Sequence, residues 1–106
     1  MRIVIPSIWF FRGQTVVTQT LARALRELGH EVFIHARMGG VYGMPKQEGQ
    51  RWGWEEVTRW PEYDLKTDLK GFIGKLHDQK IDLVLFNEEY DWKLVEAVKN
   101  EGFRIA

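Results

Sequence analysis

The apolar residues of this chain shift between two periods, and the shifts mark out its elements. Residues Arg2 to Pro6 form a short β-branched run, the signature of a strand covered on both faces. A loop through Arg12 and Gly13 follows. From Gln14 to Leu28, the apolar positions Val17, Leu21, Ala24, Leu25 and Leu28 recur at helical spacing and predict a helix with that face buried. Gly29 stands where a helix ends on a left-handed residue, and "EVFIHA" then reads as a second strand. Such a β-α-β unit predicts two parallel strands with a right-handed crossover.

Residues 38–54, "MGGVYGMPKQEGQRWGW", carry five glycines and a proline and predict a long irregular loop. "EEVTRW" is a short third-strand candidate that Pro61 ends. Thr67 to Gln79 predicts a second helix with Leu69, Phe72, Ile73 and Leu76 inward, although Gly71 and Gly74 each weaken it by about 1 kcal/mol relative to alanine. "IDLVLF" is a fourth strand and "NEEY" its exit loop. Asp91 to Asn100 is a third helix with Val95 and Val98 inward; Gly102 stops it and "FRIA" begins a fifth strand.

This order predicts an α/β fold with a single Rossmann-like domain over residues 1–106, a doubly wound parallel sheet ordered 3-2-1-4-5. Ligands of such sheets bind beyond the carboxyl ends of the strands, at the switch point between the first and fourth. Four segments are expected at that edge: Pro6 to Gln14, Arg37 to Gly40, Asn87 to Tyr90, and whatever should follow Ala106. The last residues lie within a predicted strand, so the domain is expected to be part of something larger.

Composition narrows the function. Fifteen basic and fifteen acidic residues give a formal charge of zero, against a nucleic-acid binder that depends on a broad positive field. With no cysteine, thiolate catalysis and cysteine-ligated zinc are excluded. His30, His35 and His77 are scattered and form no ligand spacing or triad, so no metal or cofactor is expected. No apolar run approaches the ~20 residues of a membrane span. The apolar start "MRIVIPSIWFF" lacks a small-residue cleavage site and is read as a strand, which makes the cytoplasm the expected compartment.

The run "RGQTVVTQTLARALRELGHEV" resembles the start of GT-B glycosyltransferases of the glycosyltransferase family 4 (group 1) type. Members open with a strand and a loop ending in Gly-Gly. A helix reading like "LARAL..LGHEV" then leads into the second strand. Setting Leu21–Leu25 on that helix places Arg12 and Gly13 on the two glycines. The likeness covers most of the chain outside residues 38–60. It implies the first part of a GT-B N-terminal domain, the half that holds a sugar, lipid or small-molecule acceptor. The parent enzyme would move a sugar from a nucleotide-sugar donor to an acceptor hydroxyl with retention and without an essential metal. The donor would bind through a C-terminal domain, so these residues alone are expected to be inactive.

Candidate site residues follow the carboxyl edge. Gly13 and the amides of Gln14 and Thr15 lie at a helix N-terminus that favours an anion, and in the family this turn approaches donor phosphates. Arg12 replaces a glycine there and could pair with phosphate or carboxylate, and Arg37 could contact phosphate or the acceptor; the alternative for both is a solvated arginine. Trp9 and Phe10, with Phe11, could stack on a sugar ring or pin their loop to the core. Trp52, Trp54 and Trp60 flank the glycine-rich stretch, more as anchors than as a groove. Asn87 and Glu88, with Glu89, could bind hydroxyls or simply cap a helix. No catalytic residue is assigned.

Glu88 and Glu96 are eight positions apart with Ala97 following, a spacing the family uses at its donor site in the C-terminal domain. Glu89, Tyr90 and Asp91 replace the small residues expected after the first glutamate, and Glu48 and Glu56 share the spacing within a predicted loop. The pair is therefore read as coincidence. The competing function is a stand-alone Rossmann- or flavodoxin-like binding or signalling module, which lacks here both an acidic cluster after the first strand and a G-x-G-x-x-G turn.

Overall fold

The computed structural model describes residues 1–8, 13–37, 69–87 and 92–106, with the backbone alone at residues 8, 13–15, 36 and 37. Their elements are β1 (Arg2–Ile8), α1 (Gly13–Glu27), β2 (Glu31–Arg37), α2 (Leu69–Asp78), β3 (Leu83–Val84), α3 (Trp92–Asn100) and β4 (Arg104–Ile105). All strand pairs are parallel, in the order β2-β1-β3-β4. The fold is α/β, compatible with a Rossmann-like arrangement.

The expected five-strand order 3-2-1-4-5 is not what the described sheet displays: it has four strands. Residues 55–60, the expected third strand, lie outside the described residues, as does the loop expected over 38–54. Two other strands are shorter than their apolar runs. Of "IDLVLF" only Leu83 and Val84 are strand, and of "FRIA" only Arg104 and Ile105.

β1 extends past its expected end at Pro6 and pairs with β2 over its full length, from Arg2 opposite Glu31 to Ile8 opposite Arg37. Its pairing with β3 covers only Ile3–Leu83 and Val4–Val84. Proline explains the difference. Val4 O accepts from Leu85 N at 2.9 Å, so the backbone groups of even-numbered residues in β1 turn toward β3. Pro6 is the next such residue, and it has no N–H to give. The β1–β3 ladder stops one step before it, while the β1–β2 ladder continues.

The sheet buries both faces. Ile3, Ile5, Val32 and Ile34 pack with Ala22 of α1 on one side, where Leu25, Leu83 and Leu85 are half-buried against them. Val4 and Val84 pack with Phe72 and Leu76 of α2 and with Leu94 and Val98 of α3 on the other. The face of α2 is as expected, and Leu94 joins Val95 and Val98 in α3.

α1 corrects the periodicity argument. Its most apolar stripe does not face the sheet: Val17 is 49% exposed and Leu28 74%. Thr18 and Ala22 are fully buried instead. Two stripes about a quarter-turn apart compete on this helix, and hydrophobicity alone favours the wrong one. The small Ala22 allows close approach to β1 and β2, and the Thr18 hydroxyl has a buried polar partner there.

α1 ends in a Schellman turn, with Gly29 at φ 93°, His30 N donating to Leu25 O and Gly29 N to Arg26 O. α2 ends the same way, but its left-handed residue is Lys80, at φ 51°.

Candidate functional site

β1 leaves the sheet into α1 on one face, and its neighbour β3 precedes α3 on the other. Adjacent strands whose following helices lie on opposite faces make a switch point, the place where open α/β sheets bind ligands. Because the β1–β3 ladder stops before Pro6, no backbone hydrogen bond among the described residues joins the last part of β1 to the chain beyond Leu85. Side chains join them there instead. Thr18 Oγ1, on α1, donates to Ser7 Oγ at the end of β1 at 2.9 Å. Asn87 Nδ2, just past β3, donates to Thr18 Oγ1 at 2.8 Å. Ser7 and Thr18 are buried and Asn87 is half-buried. Three elements thus meet in a chain of neutral hydrogen bonds, two of whose members are buried away from water.

Beside this relay stands the N-terminus of α1. The helix opens at Gly13, and its first turn contains no acidic residue. The amides of Gly13, Gln14 and Thr15 are therefore first-turn amides at the positive end of the helix dipole, close to where β1 ends. This is the edge at which the sequence places them. Arg37 is the last residue of β2, opposite Ile8, so its backbone is also at the carboxyl edge. Trp9, Phe10, Arg12 and Glu88 lie outside the described residues. Asn87 is at the switch point as expected, but its amide group is engaged with Thr18, which makes it part of the wall.

Ser7 and Thr18 escaped the sequence reading. The available signal was Thr18, Ala22 and Leu25 at i, i+4 and i+7, a sheet-facing stripe with one hydroxyl in it.

The histidines take no part in this edge's relay. His35 is buried with its ring 4.9 Å from that of Phe72. His30 Nδ1 lies 2.9 Å from the Met1 amine at the amino edge. His77 is exposed, 3.6 Å from Glu101 and against the Phe103 ring. A shallow depression of about 370 Å³, lined by residues such as Met1, Asp82, Phe103 and Arg104, also opens at the amino edge. It is at the wrong end of the strands for the switch-point chemistry, and the backbone amide of Arg2 already donates to Asp82. Among the described residues no three histidine, aspartate or glutamate side chains gather as a metal site. No described helix is long and apolar enough to cross a membrane.

Comparison with protein-family models, curated proteins and solved structures gives no match for this chain.

Proposed function

We propose that this chain is the acceptor-side portion of a GT-B glycosyltransferase, the first part of an N-terminal Rossmann-like domain whose complete sheet is ordered 3-2-1-4-5. The observation that carries the reading is the switch point between β1 and β3, whose following helices lie on opposite faces of the sheet, with the N-terminus of α1 beside it. The likeness of "RGQTVVTQTLARALRELGHEV" to the family's first helix and second strand supports it.

In this reading the first-turn amides from Gly13 to Thr15 stabilise negative charge on the donor phosphates or the transferred sugar. Arg12 and Arg37 pair with phosphate or carboxylate, and Trp9 and Phe10 offer faces for a sugar ring. Asn87 and Glu88 form the lip on the acceptor side. The nucleotide-sugar is held across the cleft by a second domain, and transfer proceeds with retention and no essential metal. Ser7 and Thr18 act behind these groups by holding the lip to α1.

The test starts from the reading frame that encodes residue 106 and continues with the protein it specifies. That protein, given a panel of nucleotide-sugars, is expected to release nucleotide from one of them, and Gly13→Asp is expected to abolish release by blocking the anion turn. A frame that stops at Ala106, or no release from any donor by the full chain, defeats the proposal. The first outcome favours the stand-alone binding module.

A further inference from the structure

We draw no further inference here: the strongest candidate, the exposed apolar flank of α1 formed by Val17, Leu21 and Leu28, carries nothing because nothing among the described residues shows what covers it.

Discussion

The two edges of the sheet are held by opposite kinds of chemistry. At the amino edge, β1 is bound through charged and exposed groups. Arg2 Nε donates to Gln79 O at 2.7 Å, Nη1 pairs with Glu31, the guanidinium lies 4.8 Å over the Phe33 ring, and Arg2 N donates to Asp82 Oδ2 at 2.7 Å. These contacts tie the strand to the turn that follows α2 and to the start of β2. At the carboxyl edge, three neutral side chains, Ser7, Thr18 and Asn87, do the joining, and the first two are buried. Water can replace a lost contact at the amino edge but not within the buried part of the relay. The amino edge closes the sheet with several water-accessible contacts, while at the carboxyl edge the β1–β3 ladder ends early and buried neutral side chains carry the connection.

The difference is most strongly tested by Thr18→Val, which keeps shape and removes the hydroxyl that both neighbours use. It should lower stability by about 1–3 kcal/mol, read by chemical denaturation, and Thr18→Ser should recover most of it. A loss no larger than that of an exposed substitution would show that the relay is not what joins the edge. Arg2→Ala comes next, at about 1–2 kcal/mol, because it removes the Gln79 hydrogen bonds and the packing over Phe33 together. Lys80→Gly tests the amino-edge turn in the other direction. The left-handed conformation suits glycine, so stability should rise by about 0.5–1 kcal/mol, with a higher midpoint of thermal unfolding. Glu31→Gln should have the smallest effect, under about 1 kcal/mol and vanishing in high salt, as befits a surface ion pair. If it exceeds Thr18→Val, the contrast between the edges is reversed.

Much of this architecture was legible in the residues. The β-branched runs of β1 and β2, the Gly29 stop and the inward Phe72 and Leu76 follow from local pattern, because a strand buried on both faces and a capped helix leave few alternatives. Gly102, also at positive φ, ends α3 where it was expected. The carboxyl edge was legible only as a place. Gly13, Gln14, Thr15, Arg37 and Asn87 belong to it by topology, which chain order dictates. The relay was not legible, since Ser7 and Thr18 are 11 residues apart and Asn87 is 69 further along. The Thr18–Ala22–Leu25 stripe could mark Thr18 as facing the sheet, but nothing local names Ser7 and Asn87 as its partners.

The sequence by itself determined the kinds of element, their order and the parallel sense of the first β-α-β unit, because these depend on period, turn chemistry and chirality within short stretches. Tertiary structure decided which side of α1 meets the sheet. It chose the polar stripe with a small residue over the greasier one, since close approach and a buried hydroxyl partner outweigh side-chain hydrophobicity where space is limited. It also decided where β1 and β3 separate. Pro6 carries that instruction in its missing N–H, yet the instruction has meaning only once β3 lies alongside.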